Sequence, residues 1–249
     1  MTAHTIKNTN PAETRIMYLR SPLLDPVSNI RLETRLFRTV RTGLVRMLWR
    51  NSDCVVLGRN QDAAAETDLR FAAEHGIRVL RRASGGGAVY HDPGTVNFTF
   101  LSDLPEDGSF SLRELTSPAV SALHEMGIPV SFSGRNDLLL PDGRKICGTA
   151  ARIHEGRVLC HGCICFDTDL SRMERVLTPS AEKLGRHGVR SVRSRVACLR
   201  ELMPEMTAED FLLRLETELL RGMDVIPYPD ALLPDGTAPD EEAWPELIL

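Results

Sequence analysis

Three consecutive glycines follow two arginines and a serine in the stretch RRASGGGAVYHDPG, residues 81–94. Glycine reaches positive φ and lets the main chain approach another group closely. Main-chain N–H groups beside a guanidinium group can bind phosphate or carboxylate oxygens. The pattern therefore predicts a loop that binds an acidic small molecule. The residues concerned are Arg82, Ser84, Gly85, Gly86 and Gly87. A glycine bulge or tight hairpin without a ligand is the alternative interpretation of this loop alone.

The glycine loop does not match two common phosphate-binding motifs. A GxGxxG fingerprint would need glycine where Tyr90 stands, and the residues after the glycines have the pattern of a strand and a turn. The motif GxxxxGK[ST] occurs nowhere in the sequence. His91 and Asp92 follow in a turn closed by Pro93-Gly94. We expect these two side chains to support the loop by hydrogen bonds, with a catalytic role as the alternative.

A second group of polar residues lies at the start of two neighbouring predicted strands. Asn136 and Asp137 begin one strand, and Lys145 begins the next after a tight turn. The strand after Lys145 contains the small residues 147–151, which would let a ligand approach the backbone. An exposed lysine–aspartate pair without a function is the alternative, since such pairs contribute little. Both interpretations remain open from these residues alone.

The elements that position these residues are strands and helices in irregular alternation. Helices are predicted from Asp25 to Gly43, over 66–76, from Ser111 to Gly127, over 170–177 and over 207–221. Strands are predicted over 44–49 and 54–58, joined as a β-hairpin, and over 77–80 and 96–100. Those over 136–140, 145–153 and 158–166 predict an antiparallel meander. Hairpin links indicate an α+β fold with mixed or antiparallel β-sheets flanked by helices.

Composition excludes several classes of protein. The chain has 249 residues with 42% apolar side chains, enough for one large domain or two small ones. A net charge of −4 gives no sign of a nucleic-acid-binding surface or of polybasic membrane binding. No apolar run reaches the roughly 18 residues that span a bilayer, and the polar start lacks a signal-peptide core. We therefore expect a cytoplasmic protein whose six cysteines are reduced thiols.

Several motifs occur in order along the chain. They run from DPVSN at Asp25 through LWRNSDCVVLGRNQ, RRASGGGAVYHDPG, SGRNDLLL, GRKICGTAAR, His161-Gly162, DLSRM and KLGRHGVRSVRSRV to the helix after Pro204. With these motifs the chain resembles the lipoate-protein ligase A family, whose catalytic domain shares a fold with biotin protein ligases and octanoyl transferases. The resemblance implies a biotin/lipoyl protein ligase-like catalytic domain. We expect it at residues 13–226, between a disordered N-terminus at 1–12 and an irregular, proline- and acid-rich tail at 227–249.

The resemblance implies a reaction in two steps. Lipoate and ATP give lipoyl-AMP and pyrophosphate, and the lipoyl group then passes to a lysine of a lipoyl domain. Joining a carboxylate to a phosphate brings two anions together, a repulsion of about 4 kcal/mol at 4 Å with an effective dielectric constant near 20. Lys145 matches the lysine that would bridge both groups. No side-chain nucleophile is required, because the mixed anhydride is already activated.

The resemblance also assigns the other site residues. Arg82, Ser84 and the glycine loop would hold the lipoyl and phosphate groups, and the main chain of Val89 and Tyr90 would contact adenine. The remaining expected site residues are Asn136 and Asp137 for phosphate or Mg²⁺, Arg152 for closing the lipoate site, His161 in support of the site, and Arg190, Arg193 and Arg195 over the nucleotide. The three arginines alone would equally fit a solvated surface.

The family resemblance also implies partners. The expected acceptors are lipoyl domains of 2-oxoacid dehydrogenase acyltransferase subunits and the glycine cleavage H protein. The chain ends where the large domain of the family ends, so we expect a separate small accessory protein to replace the C-terminal accessory domain. The alternatives are a lipoyl or octanoyl transferase that uses preformed lipoyl-AMP, and a non-catalytic module that binds lipoate or lipoyl domains.

Cysteines near Lys145 suggest a further alternative mechanism. Cys147 stands where ligases of the family usually have serine, and Cys160, Cys163 and Cys165 lie in the neighbouring predicted strand. A cysteine acyl-thioester would make the chain a transferase with a covalent intermediate. A buried apolar role is the favoured interpretation. A zinc site is less favoured still, because Cys160 would point to the face opposite Cys163 and Cys165.

Overall fold

The structure is a computed structural model that describes residues 15–134, 136–177, 196–229 and 246–249. Its strands are β1 (Arg15–Arg20), β2 (Leu44–Trp49), β3 (Cys54–Leu57), β4 (Arg78–Arg81), β5 (Val89–His91), β6 (Thr95–Asp103), β7 (Ser131–Ser133), β8 (Asp137–Leu139), β9 (Lys145–His154), β10 (Arg157–Cys165), β11 (Asp224–Pro227) and β12 (Glu246–Leu247). Its helices are α1 (Pro26–Thr39), α2 (Ala63–Glu66), α3 (Leu69–Glu74), α4 (Leu112–Glu125), α5 (Leu170–Val176) and α6 (Ala208–Leu220).

The strands form two mixed sheets. The large sheet has the order β11-β1-β2-β6-β10-β9-β8-β7, and the small sheet has the order β12-β4-β3-β5. Strand β1 pairs in parallel with β2 and β11, and β3 pairs in parallel with β4. All other pairings of the named strands are antiparallel. The predicted α+β class with mixed sheets is confirmed.

The predicted meander is confirmed, but the predicted hairpin between β2 and β3 is wrong. Strands β8, β9 and β10 are antiparallel neighbours in the large sheet. Strand β2 instead pairs with β1 and β6, whereas β3 lies in the small sheet. The linker between them is held by other partners: the Asn29 side chain donates to Arg50 O at 2.8 Å, and Ser52 N donates to Leu24 O at 2.7 Å. A polar linker between two apolar strands therefore connects two sheets here.

The starts of α1 and α6 follow the sequence signals, whereas α1 ends at Thr39, before the predicted end at Gly43. The Asp25 carboxylate accepts a hydrogen bond from Ser28 N and caps α1, with Pro26 in the first turn. The Thr207–Asp210 capping box at α6 is complete. The helix predicted over 66–76 is confirmed as α3, but it starts later than predicted, because α2 ends at Glu66 and Asp68 caps α3. No helix in the described residues has the length and hydrophobicity to cross a membrane.

The hydrophobic core has three parts. One face of the large sheet packs against α4 and α6, with Phe98, Phe166 and Phe211 fully buried. On the opposite face, α1 packs against strands of both sheets. The outer face of the small sheet is covered by α3 and α5. Alternate residues of β3 belong to the second and third parts, as the period of a strand requires. Helix α1 therefore lies where the two sheets meet.

The end of the chain departs from the irregular tail predicted for 227–249. Glu246 and Leu247 pair antiparallel with Arg81 and Leu80 of β4 and close one edge of the small sheet. The final residue extends this contact, since Val79 N donates to Leu249 O at 2.9 Å. This short pairing lies within the predicted tail, and the irregular structure predicted for 227–249 otherwise stays a prediction. Residues 1–14 and 230–245 lie outside the described residues, so the predicted disorder at 1–12 stays a prediction.

Candidate active site

A cleft opens where the two sheets meet beside α1. It has about 630 Å³ of empty volume, part of which is open to solvent. Its walls come from α1, from β2, β6, β9 and β10 of the large sheet, from β3 and β5 of the small sheet, and from the glycine loop between β4 and β5. Lys145 lines the same cleft. The structure thus brings the two groups of polar residues predicted from sequence to one place.

Arg82 holds the glycine loop from within the protein. The side chain is only 6% exposed, and its pKa is lowered to about 10 by burial. Its Nη2 donates to Gly85 O at 2.7 Å and to Gly87 O at 2.8 Å, while Nη1 donates to Val56 O at 2.9 Å. Gly86, between the two acceptors, has a φ of 92°. Arg82 therefore fixes the loop conformation through the carbonyl groups that turn inward.

Gly58, which the sequence interpretation assigned only to the end of a strand, sets the position of this loop. A Cβ atom at Gly58 would lie 2.1 Å from Gly86 O, so only glycine permits this approach. A hydrogen bond beside this approach also holds the loop, since Arg59 N donates to Ser84 O at 2.8 Å. The signal in the sequence was the glycine itself at the end of an apolar strand.

Ser84, His161 and Glu33 form a hydrogen-bonded row under the loop. His161 Nε2 lies 2.8 Å from Ser84 Oγ, and His161 Nδ1 lies 2.9 Å from Glu33 Oε1. Arg82 Nε donates to the same Ser84 Oγ at 2.9 Å. Thr99 Oγ1 donates to Glu33 Oε1 at 2.6 Å. The row connects α1 and the large sheet to the glycine loop, so His161 supports the loop through Ser84.

Sequence interpretation missed Glu33. Its carboxylate is 4% exposed and lies on the apolar face of α1, between Ile30 and Phe37 at helical spacing. Burial alone would raise the pKa of Glu33, but His161, Thr99 and the charge of Arg82 outweigh it, so the pKa is lowered. The sequence did contain a signal for Glu33, an acidic residue among the apolar residues of an amphipathic helix. A carboxylate buried there needs polar partners, and such partners indicate a site.

Lys145 and Asp137 form an ion pair at the cleft. Lys145 Nζ lies 2.7 Å from Asp137 Oδ1, and the two side chains are 36% and 38% exposed. Burial would lower the pKa of Lys145, but the hydrogen bond and charge of Asp137 outweigh it and raise that pKa. The start of β9 is held in place by Ala197 N, which donates to Lys145 O at 2.9 Å. Lys145 is therefore a fixed cation that remains accessible from the cleft.

Asn136 is in the wall of the cleft, whereas Arg152 of β9 is not among the residues that line it. Asn136 lines the cleft, and its Nδ2 donates to Thr149 O at 2.9 Å, which fixes the amide against β9. Arg152 is half-buried and donates from Nη1 to Ala83 O at 3.0 Å. This bond connects β9 to the loop one residue before Ser84. Arg152 therefore contacts the main chain of the loop, and its expected role in closing the lipoate site stays a prediction.

The residues after the glycine loop point in different directions. Val89 and His91 line the cleft, whereas the Tyr90 side chain packs in the core of the small sheet. Asp92 accepts hydrogen bonds from Gly94 N at 3.0 Å and from Asp169 N at 2.7 Å. Asp92 therefore braces the turn before β6 and the start of α5. His91 is part of the cleft wall as well as a neighbour of the loop.

The cysteines are free thiols, as predicted. Cys147 is 1% exposed in the core, and burial raises its pKa well above the usual range. Cys160 lies 3.7 Å from Thr116 Oγ1 of α4, on the face opposite Cys163, which lines the cleft. In the part of the chain that the structure describes, no group of three or more histidine, cysteine or acidic side chains could hold a metal ion. Arg190, Arg193 and Arg195 lie outside the described residues.

The profile of the lipoyl protein ligase A/B catalytic domain matches residues 25–220. The chain belongs to this family. Among curated proteins, a lipoate-protein ligase LplJ from Bacillus subtilis (strain 168) is 37% identical over 181 residues, which are 72% of this chain and 54% of that protein. The chain thus spans about half the length of this curated relative. The family resemblance predicted from the motifs is confirmed.

Two solved structures resemble this member of the lipoyl protein ligase A/B family. One is a bipartite lipoate protein ligase with its E2 lipoyl domain from Thermoplasma acidophilum, 25% identical with a TM-score of 0.71, covering 88% of this chain and 86% of that chain. The other is LipL1 of P. falciparum in complex with lipoate, also 25% identical with a TM-score of 0.71, covering 85% of this chain and 66% of that chain. The predicted lipoate-protein ligase fold is confirmed.

Proposed function

We propose that this chain is a lipoate-protein ligase that activates lipoate with ATP and transfers the lipoyl group to a lysine of a lipoyl domain. The observation that carries the proposal is the fixed cation Lys145 in a cleft whose other walls include the apolar side chains Ile30, Val56 and Trp49. Such a cleft fits a carboxylic acid with an apolar chain. Of the two similar structures named above, one is of a lipoate protein ligase and its E2 lipoyl domain, and the other is of a complex with lipoate.

In the first step, a carboxylate oxygen of lipoate attacks the α-phosphorus of ATP and pyrophosphate leaves. Lys145 lies between the two anions and stabilises the charge of the pentacoordinate transition state. In the second step, the acceptor lysine amine attacks the lipoyl carbonyl carbon and AMP leaves with the bridging oxygen. Lys145 then stabilises the negative charge on the carbonyl oxygen and on the departing phosphate. The amine proton passes to solvent or to a phosphate oxygen.

The glycine loop supplies the nucleotide site in this proposal. Because Arg82 binds the carbonyl groups of Gly85 and Gly87 from within, main-chain N–H groups of the loop remain for phosphate oxygens. The main chain of Val89 and Tyr90 would contact adenine. Asp137 is the acidic residue beside Lys145 and would help to hold Mg²⁺. The metal would neutralise the charge of the leaving pyrophosphate.

The thioester alternative has less support. The side chain of Cys147, in β9, is buried in the core, and its raised pKa disfavours the thiolate that a nucleophile needs. Transfer from preformed lipoyl-AMP uses the same cleft and the same Lys145. We therefore propose that the chain transfers from lipoyl-AMP alone and forms lipoyl-AMP with a small accessory protein. The bipartite lipoate protein ligase among the similar structures supports this division.

The proposal is tested by supplying each half-reaction separately. The purified chain is incubated with lipoate, ATP and Mg²⁺, or with synthetic lipoyl-AMP, together with a lipoyl domain from a 2-oxoacid dehydrogenase acyltransferase subunit or the glycine cleavage H protein. Mass spectrometry of the acceptor measures lipoylation, and pyrophosphate exchange measures adenylation. We expect transfer from lipoyl-AMP by the chain alone, and ATP-dependent lipoylation after addition of the accessory protein. Absence of transfer from lipoyl-AMP to every acceptor would contradict the proposal.

A further inference from the structure

Two buried hydrogen-bond donors in the cleft wall have no acceptor among the described residues. They are His91 Nε2 and Asn97 Nδ2. Both residues line the cleft, and both are almost fully buried, with 4% and 1% of their surfaces exposed. A buried polar atom without a partner is costly, so native proteins satisfy nearly all of them with protein, water or ligand. These two atoms therefore point to a ligand that carries hydrogen-bond acceptors.

The proton position on His91 follows from its neighbours. Asn29 Nδ2 donates to Leu23 O at 3.0 Å and to Arg50 O at 2.8 Å, so this atom is the amide nitrogen. It also lies 2.9 Å from Asn51 Oδ1, which leaves Asn51 Nδ2 facing His91 Nδ1 at 3.1 Å. His91 Nδ1 must then accept, and the ring proton is on Nε2.

The charge state of His91 agrees with this assignment. Burial and then the charges of Arg82 and His161 lower the pKa of His91 to about 3, so the ring is neutral at physiological pH. Because Nδ1 accepts from Asn51, the neutral ring presents Nε2–H as a donor. The ring also contacts Trp49 edge to face, with centroids 5.9 Å apart. His91 is thus held in place by contacts independent of any ligand.

The strand register places these donors at a defined distance from Lys145. Gly148, whose Cβ would meet Lys145 Nζ at 3.0 Å, pairs with Cys163, and Cys163 pairs with Asn97. Asn97 in turn pairs with Trp49 of β2. Two strand spacings, roughly 10 Å, therefore separate the Gly148 position from Asn97. An eight-carbon acid contains seven C–C bonds of about 1.5 Å and extends roughly 9 Å. A carboxylate at Lys145 would place its far end near Asn97.

We infer that His91 and Asn97 select an acyl group with hydrogen-bond acceptors at its far end, the two sulfur atoms of a dithiolane, over a plain fatty acyl group of equal length. The inference rests on the proposed function and names its preferred substrate. Without a ligand, water would satisfy the two donors, and a plain hydrocarbon end would displace that water and leave both donors unpaired. Sulfur is a weak acceptor, so we expect a preference of roughly tenfold.

The test measures binding without catalysis. Calorimetry compares non-hydrolysable lipoyl-AMP and octanoyl-AMP analogues, whose acyl chains differ only in the dithiolane. We expect the wild-type chain to bind the lipoyl analogue roughly tenfold more tightly. Asn97→Leu removes the donor at similar volume and should bind the octanoyl analogue more tightly than wild type does, which lowers the preference. Asn97→Thr keeps a hydroxyl donor and should retain part of the preference.

The outcomes separate this inference from the proposed function. Equal affinity of the wild-type chain for the two analogues overturns the inference and leaves the ligase proposal standing. An unchanged preference in a folded Asn97→Leu variant, checked by thermal unfolding, also overturns it. If neither analogue binds the wild-type chain, the proposed function fails and the inference fails with it. The wild-type comparison decides the question even if the leucine variant does not fold.

Discussion

The cationic side chains on the two sides of the cleft, Arg82 and Lys145, differ in exposure and in their contacts. On the side of the small sheet, Arg82 is 6% exposed and donates to three carbonyl groups and to Ser84. On the side of the large sheet, Lys145 is 36% exposed and contacts the similarly exposed Asp137. Both residues were predicted from sequence to contact the ligand. The difference indicates that Arg82 shapes the binding loop, whereas Lys145 acts on the reacting groups.

Removing Lys145 should give the largest effect on activity. Lys145→Ala loses the cation between two anions, so we expect transfer from lipoyl-AMP to fall by roughly 10² to 10³. The melting temperature should stay close to that of wild type, because the ion pair with Asp137 is half-exposed. Arg144→Ala is the matched control, since the neighbouring arginine forms only surface pairs with Asp142 and Glu201. Near-normal transfer by Lys145→Ala would contradict the assignment.

Removing Arg82 should lower the stability of the fold as well as the affinity for the ligand. Arg82→Ala leaves Val56 O, Gly85 O and Gly87 O without this donor, so we expect a loss of about 2–4 kcal/mol in the free energy of unfolding. Affinity for a lipoyl-AMP analogue should fall as a consequence of loop movement. Urea denaturation and calorimetry measure the two effects. Unchanged stability with lost affinity would show instead that Arg82 contacts the ligand directly.

Crowding at Gly58 should disturb the loop without changing any charge. Gly58→Ala places a Cβ 2.1 Å from Gly86 O, so the loop must move, and we expect a loss of about 1–3 kcal/mol in stability. Gly87→Ala is the matched control for stability, because a Cβ there meets nothing within 4 Å. Denaturant unfolding of both variants checks the prediction. If the two variants are equally stable, Gly58 does not set the position of the glycine loop.

The buried carboxylate of Glu33 should make the stability of the fold depend on pH, with a smaller effect than the changes above. Folding lowers the pKa of Glu33, so its ionised form stabilises the fold above the unfolded pKa, near 4.3, and this contribution is lost as pH falls below it. The stability difference between wild type and Glu33→Gln should therefore be constant near neutral pH and shrink in acid. Unfolding measured from pH 7 to pH 3 tests this. A difference that grows in acid would contradict the assignment.

The smallest effect is expected at Cys147. Cys147→Ser should transfer the lipoyl group within about twofold of wild type, because the thiol lies in the core and not in the cleft. The hydroxyl at this buried position should cost about 1 kcal/mol of stability. Rates of transfer from lipoyl-AMP and thermal unfolding are the measurements. Complete loss of transfer, with a hydroxylamine-sensitive acyl adduct on the wild-type chain, would favour the thioester mechanism.

Local signals predicted one side of the cleft better than the other. Asp137 and Lys145 begin adjacent strands joined by a short turn, so their contact followed from chain proximity. The contact between His161 and Glu33 joins residues 128 positions apart, and nothing local specifies it. The inward direction of Arg82 depends on carbonyl groups of β3 and the loop, which become neighbours only after the sheets form. The wrong hairpin between β2 and β3 has the same origin, because sheet membership is a long-range property.

The most direct test is a crystal structure of the chain with a non-hydrolysable lipoyl-AMP analogue. Lys145 Nζ should lie within hydrogen-bond distance of both the acyl carbonyl oxygen and a phosphate oxygen, as the proposed chemistry requires. Arg82 should keep its bonds to Gly85 O and Gly87 O while main-chain N–H groups of the loop contact the phosphate. A complex in which Arg82 turns to the phosphate, and Lys145 stays with Asp137 away from the ligand, would contradict the division of roles.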